Sequence, residues 1–279
     1  MILPEPNKSF QWTETAAGVA LVCPALARFA KHLFTTRAWR LGSVDPAFRH
    51  ETWGDVARAL DLDSDRLCRV RQVHGAGVAV VRPGQPLPGA DADVIMTDDP
   101  AVGLAVRTAD CVPLLLADTR TGAVASMHAG WRGLALRVPS VTVQALAREF
   151  GSRPSDLIVA IGPSIGSCCY EIGGDVRERF DLAGFSRAEL SRWFVSEPSP
   201  SPRNPSYAGS STGLGPGHWF LDIWAVARDQ LVAEGIPAHQ VHSAGLCTAS
   251  HAGTFCSYRR DGSGAGRLAA AIRKLKTEN

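Results

Sequence analysis

The sequence predicts an α+β fold: a single domain with a mixed β-sheet core flanked by helices. Three observations point there. Short apolar runs bounded by glycine, aspartate or proline crowd the middle of the chain, as buried strands do. Helical patterns stand apart from these runs and do not alternate with them in a βαβ rhythm. The 279 residues, 45% hydrophobic and 20% charged, are enough to bury one large core without staples.

Near the start, an apolar stretch over 16–27 ends in Ala25-Leu26-Ala27. Pro24 interrupts it, and Glu5 and Glu14 outweigh Lys8 upstream, so it does not read as a signal peptide. Strands are expected at 77–81, at 92–97 before the turn Asp98-Asp99-Pro100, and at 102–106, 113–117 and 122–127. A further strand is expected at 157–161, closed by Gly162-Pro163. A helix is expected over 140–150, ending at Gly151. Asp222 suits the N-cap of another, with Ile223, Val226, Ala227 and Leu231 on one face and Gly235 at its end. A last helix is expected over 267–276, where basic residues complement the dipole at its C-terminus. Residues 196–217 hold five prolines and four glycines among many serines, and read as a flexible, exposed insertion within residues 1–279.

A net charge of +2 gives no reason to expect a nucleic-acid or membrane-surface partner. No run of 18 apolar residues suggests a transmembrane helix. Seven cysteines form an odd set without disulfide-like spacing, and Cys168 adjoins Cys169, so reduced thiols and a cytoplasmic location are expected. Oligomeric state is not readable.

Three residues stand out by context. His74 precedes an expected strand, Cys111 sits at a break between two apolar runs, and His128 ends a strand before a glycine turn. Two imidazoles and a thiolate suit zinc, and three protein ligands leave a fourth position open. The spacing is long-range and matches no compact zinc-finger pattern. Cys23, Cys68, Cys168, Cys169 and Cys256 read as core fillers. His32, His50, His239 and His242 read as structural, with His251 left open in a Gly/Ser/Thr-rich loop.

These residues lie in segments that together resemble one family. Gln72-Val73-His74, Thr108-Ala109-Asp110-Cys111-Val112-Pro113 and His128-Ala129-Gly130-Trp131-Arg132-Gly133 are similar to signature segments of the YfiH family, also called laccase-domain or multicopper polyphenol oxidase-like proteins. The family's central loop resembles Ile161-Gly162-Pro163-Ser164-Ile165-Gly166 and Cys168-Cys169-Tyr170-Glu171-Ile172-Gly173. Phe34-Thr35-Thr36-Arg37, Leu221-Asp222-Ile223-Trp224-Ala225, Cys247-Thr248, the segment from Phe255 to Asp261, and Gly266-Arg267 extend the likeness in the right order. One departure follows Arg37, where Ala38-Trp39-Arg40-Leu41-Gly42 replaces the family's Gly-Gly turn.

The resemblance implies a metal site at His74, Cys111 and His128, with zinc favoured over copper. It also implies phosphorolysis of adenosine, inosine, guanosine and methylthioadenosine, together with adenosine deamination. Purine nucleoside and phosphate are then the partners. By motif position, Arg37, Arg132, Arg259 and Arg260 are candidate phosphate grips. Gln72 and Tyr170 are candidates for hydrogen bonds to the purine, and Asp110 is a candidate proton carrier or support beside Cys111. Copper-dependent polyphenol oxidation fits less well: the chain has eight histidines without a His-x-His pair and three methionines, of which Met127 alone adjoins an expected ligand. A cysteine hydrolase would instead use Cys111 as nucleophile and His128 as base. A role in editing peptidoglycan precursors is the remaining alternative.

Overall fold

The computed structural model describes residues 3–41, 51–85, 91–207 and 217–275. His50 and residues 208–216 of the proline- and serine-rich stretch lie outside these. The first half of the chain contains β1 (Gln11–Thr15), β2 (Gly18–Val22), α1 (Pro24–Ala27), β3 (Ala30–Thr35), α2 (Glu51–Ala59), β4 (Leu67–Arg69) and β5 (Val78–Val80). There follow β6 (Val94–Thr97), β7 (Gly103–Thr108), β8 (Val112–Asp118), β9 (Val124–Ala129), α3 (Trp131–Ala135) and α4 (Val138–Phe150). The remainder is β10 (Leu157–Ile161), β11 (Glu171–Gly173), α5 (Gly174–Leu182), α6 (Arg187–Trp193), β12 (Phe194–Val195), β13 (His218–Leu221), α7 (Ile223–Ala233), β14 (Val241–Ser243), α8 (Tyr258–Asp261) and β15 (Leu268–Lys274).

The strands form two six-stranded sheets and a small third one. The first sheet runs β1-β2-β3-β15-β7-β4, the second β14-β10-β8-β9-β6-β5, and the third β11-β13-β12. Both large sheets are mixed: β4–β7, β5–β6 and β10–β14 are parallel pairs and the others antiparallel. The expected mixed-sheet core with flanking helices is therefore present, as a pair of stacked sheets.

Alternation along the strands explains the stacking. In β8, Leu115 and Ala117 join a core with Leu104, Val106, Ala270 and Ile272 of the first sheet, while Val112, Leu114 and Leu116 point the other way. That second face carries α4 and α7 through Val138, Val143, Leu146, Val226 and Leu231. The outer face of the first sheet is covered by Val56 and Ala57 of α2 and Leu60 just after it, with Trp39 beside them. Strands buried on both faces read as continuous apolar runs, which is why β6, β8 and β10 are recognisable in the sequence.

Local signals hold at two helix ends. Asp222 caps α7 by accepting from the backbone N–H groups of Trp224 (3.1 Å) and Ala225 (3.0 Å). Gly151 ends α4 in the left-handed conformation, φ 65°. The helix expected over 267–276 is instead β15, paired with β3 on one side and β7 on the other. Alanine-rich sequence favours a helix in isolation. Here Leu268, Ala269, Ala270, Ala271 and Ile272 are all buried in mid-sheet, and burial of Leu268 and Ile272 contributes roughly 2 kcal/mol each, which overrides propensity.

The first part of the 196–217 stretch is also more ordered by contacts than its composition suggests. Asn204 is buried; its side chain donates to the Gly245 carbonyl (2.9 Å) and accepts from the Cys247 N–H (2.8 Å). Ser206 donates to the Cys168 carbonyl (2.7 Å). Polar residues here pair with a neighbouring loop, a source of order that hydrophobicity does not reveal. His32 is structural as expected: buried, its Nε2 accepts from the Cys23 N–H (2.9 Å) while Nδ1 donates to the Ala30 carbonyl (3.1 Å).

Candidate metal centre

Sheet register gathers the chemistry at one end of the second sheet. In the β8–β9 pair, Val112 faces Ala129 and Pro113 faces His128, so Cys111 enters the sheet beside Gly130. In the β6–β9 pair Val94 faces Met127, which brings Asp93 to His128. The loop before β5 folds across the same end and carries His74.

His74, Cys111 and His128 each offer one ligand atom, and these atoms lie within 4.8 Å of one another. The two imidazole rings meet edge to face with centroids 4.8 Å apart. Gly130 makes the convergence possible, because a Cβ there would stand 3.0 Å from the Cys111 Sγ and 3.1 Å from a His74 ring carbon. His74 and Asp110 both hold left-handed backbone, φ 60° and 90°, an uncommon state for residues other than glycine.

Asp93 organises the centre, although the sequence reading does not select it. It is fully buried, and its Oδ1 accepts from His128 Nδ1 (2.8 Å) and the His74 N–H (3.0 Å). Oδ2 accepts from the N–H groups of Gly75 (2.6 Å) and Val73 (3.3 Å). Burial pushes this carboxyl up, but the hydrogen bonds from His128 and the loop outweigh it and hold it below the usual range. A carboxylate acceptor on Nδ1 fixes the proton there and turns Nε2 of His128 toward a metal. The readable signal was a carboxylate immediately before an apolar strand, since a buried charge requires partners.

The candidate ligands Cys111 and His128 shift one another's ionisation in opposite directions. Burial opposes ionisation of Cys111, yet the charge and hydrogen bond of His128, with His74, bring its thiol down to about 6. Burial also opposes a charged His128, but the Cys111 sulfur and Asp93 lift it to about 9. A thiolate beside two imidazoles is a donor set suited to a divalent metal ion.

The centre opens into a cleft of about 440 Å³, lined among others by Gln72, Arg107, Trp131, Arg132, Tyr170 and Arg259. Clefts of about 640 and 740 Å³ lie elsewhere, but neither is lined by any of these three ligands. Arg132 stacks on Trp131 (4.4 Å) and Arg259 on Tyr170 (5.2 Å), so both cations are held beside aromatic faces. Burial pushes the Tyr170 hydroxyl well above its usual range, which keeps it a donor.

Other candidates are committed elsewhere. Both ends of the Gln72 amide bond the Arg107 backbone, at 2.8 and 2.9 Å, so Gln72 braces the cleft wall while keeping its second N–H and a second oxygen lone pair. Asp110 accepts from the Thr248 hydroxyl (2.6 Å) and the Arg259 N–H (2.6 Å), which makes it a support for Arg259. Arg37 and Arg260 do not line the cleft. Arg37 donates to the Ala252 carbonyl, and Arg260 to the carbonyls of Thr248, Ala249 and Phe255. Motif position alone does not separate an arginine that holds a loop from one that faces substrate. Arg107 and Arg267 do line the cleft; neither was a site candidate in the sequence, although Arg267 lies in the Gly266-Arg267 segment of the family likeness.

Residues 45–274 match the family described as multi-copper polyphenol oxidoreductase laccase. The chain belongs to this family. Within it, a purine nucleoside phosphorylase of Deinococcus radiodurans is 33% identical over 272 residues, covering 92% of this chain and 94% of that protein. Another, of Bacteroides thetaiotaomicron, is 34% identical over 180 residues, covering 64% of this chain and 60% of that protein. An adenosine deaminase of an unknown prokaryotic organism is 33% identical over 227 residues, covering 78% of each chain. The crystal structure of the Bacillus licheniformis protein YfiH superposes with a TM-score of 0.78 at 27% identity, covering 95% of this chain and 99% of that one. No described helix of this laccase-family chain is long and apolar enough to cross a membrane.

Proposed function

We propose that this protein is a purine nucleoside phosphorylase whose cleft binds one zinc ion on His74, Cys111 and His128, with adenosine deamination as a second activity of the site. The observation that carries the reading is the donor set itself: two imidazoles and a thiolate, backed by Asp93, in the wall of a cleft that holds arginine and tyrosine. The names of the relatives support the substrate class. Residues 1–279 are taken as one domain, and the free cysteines support a cytoplasmic location.

Bound zinc would supply Lewis acidity and a lowered water pKa. The protein groups do the rest. Arg132 and Arg259 grip phosphate, because a guanidinium offers paired donors to its oxygens. Held beside C1′, a phosphate oxygen forms a bond to that carbon as the bond to purine N9 breaks, and the electron pair leaves with the base. The Tyr170 hydroxyl donates to the departing purine, which limits its developing negative charge. Asp93 keeps the His128 proton on Nδ1 throughout.

The row Cys111–His128–Asp93 also has the order of a nucleophile, base and orienting acid, which favours the cysteine-hydrolase reading as second choice. His74 separates the two, since a hydrolase needs no second imidazole against the sulfur. The test is product analysis with zinc-loaded protein. Inosine should give hypoxanthine and ribose 1-phosphate with phosphate present, and no hypoxanthine without it. Adenosine should give adenine and inosine. Absence of base release at high enzyme concentration refutes the reading, as does full activity after zinc removal that is lost on alkylation of Cys111.

A further inference from the structure

A second convergence of donors lies apart from the cleft centre and shares no residue with it. The Sγ atoms of Cys168, Cys169 and Cys247 lie within 4.8 Å of one another, and all three residues are buried. Side chains of adjacent residues diverge in extended chain. Here a tight turn, with the N–H groups of Cys169 and Tyr170 both bonding the Gly166 carbonyl (2.9 Å each), points two neighbouring sulfurs at one place. The third sulfur arrives from a loop that the Ser164–Cys247 bridge aligns beside this turn.

A fourth donor completes the group. The Ser250 Oγ is 3.5 Å from both the Cys168 and Cys169 sulfurs. Its proton goes to the Pro205 carbonyl (2.6 Å), which leaves oxygen lone pairs facing the sulfurs. Three sulfurs bound at about 2.3 Å to one tetrahedral ion sit about 3.8 Å apart, so modest inward movement would close the group on a metal. The Gly166 N–H bonds the Cys247 Sγ (3.3 Å), which favours negative charge on that sulfur. The 740 Å³ surface cleft is lined by Ser250 and His251, so a path from solvent ends at the fourth donor.

We infer that Cys168, Cys169 and Cys247, with Ser250 as the oxygen donor, form a second, closed site for a thiophilic ion of the zinc(II) type. Binding releases the thiol protons to solvent and ties the Gly166–Tyr170 turn to the loop around Cys247. Four protein donors leave no open position, so the ion acts as a clamp that holds Tyr170 and Arg259 at the cleft.

The test uses the full chain, stripped with chelator under reducing conditions, reloaded with zinc(II) and analysed for bound metal. The wild type should retain about two ions per chain, and Cys111→Ala and Cys247→Ala about one each. The variant His74→Ala/His128→Ala, which leaves the cysteine group intact, should bind cobalt(II) with the strong near-ultraviolet charge-transfer band of several thiolates. That measurement keeps the proposal testable if Cys247→Ala does not fold. One zinc in the wild type, lost entirely in Cys111→Ala, overturns the proposal. So does a metal-free His74→Ala/His128→Ala protein, or a mass two hydrogens short that marks a disulfide in place of a metal. None of these outcomes depends on whether nucleosides are substrates.

Discussion

Replacing Asp93 by asparagine should damage the cleft centre without changing any metal ligand. Asp93 is fully buried and accepts four hydrogen bonds, from His128 Nδ1 and from the N–H groups of Val73, His74 and Gly75. Asparagine keeps one acceptor oxygen. Its amide nitrogen must face either the Gly75 and Val73 donors or the His128 and His74 donors. In the first case two backbone N–H groups lose their acceptor. In the second, His128 must put its proton on Nε2, where it blocks the metal. Hydrogen bonds to charged groups are worth about 1.5–3 kcal/mol each, so losing two and relaxing partly costs about 3 kcal/mol. Metal affinity should fall about 10–100-fold, the usual effect of removing a carboxylate behind a ligating histidine. Urea unfolding of the metal-free protein reads the first number, and zinc competition with a chromophoric chelator reads the second. If Asp93→Asn binds zinc within about threefold of wild type, the orienting role assigned to Asp93 is wrong.

Three further outcomes are expected. Gly130→Ala would place a methyl group 3.0 Å from the Cys111 Sγ and 3.1 Å from the His74 ring, so zinc affinity should fall about tenfold while circular dichroism stays unchanged. Asn204→Ala leaves the Gly245 carbonyl and the Cys247 N–H without their partner and should cost about 1–3 kcal/mol in thermal or urea unfolding; an unchanged midpoint would mean the stretch before 208 does not pack in solution. Burial holds His32 down to about 4 against its usual 6.5, so its neutral form stabilises the fold fully above pH 6.5. That contribution is lost as pH falls toward 4, by about 3 kcal/mol. The difference in stability between wild type and His32→Gln should therefore shrink over that window, and a pH-independent difference refutes the assignment.

The sequence was most legible where a strand is buried on both faces. The runs in β6, β8 and β10 are apolar because sheets or helices cover each side, and their glycine and aspartate boundaries mark real ends. It was least legible where a partner defines the element. The hairpin β1–β2 and the two- and three-residue strands β11 and β12 have little periodicity to read. β15 misleads because alanine belongs equally to a helix and to a strand packed between close neighbours. At the candidate site, His74, Cys111 and His128 were visible at strand ends, where side chains enter clefts. Asp93 stands just ahead of an apolar run and next but one to the exposed Asp91, and nothing local marks which of the two is buried. The distinct fates of Arg132 and Arg259, against Arg37 and Arg260, depend on which carbonyls each guanidinium meets, and nothing local to those residues encodes that.

The position of β15 has a consequence for synthesis. β3 ends at Thr35, yet its neighbour in the sheet begins at Leu268. A nascent chain emerging from the ribosome can form the β8–β9 hairpin early, but the first sheet stays split into β1-β2-β3 and β7-β4 until its last strand is released. Closing so long a loop is entropically costly and slow. During that interval Phe34, Leu104 and Val106 lack the strand that covers them, and the two sheet edges present unpaired backbone. The window for misassembly therefore lasts until β15 has emerged and paired, and a chain truncated before Leu268 should aggregate more than the full chain.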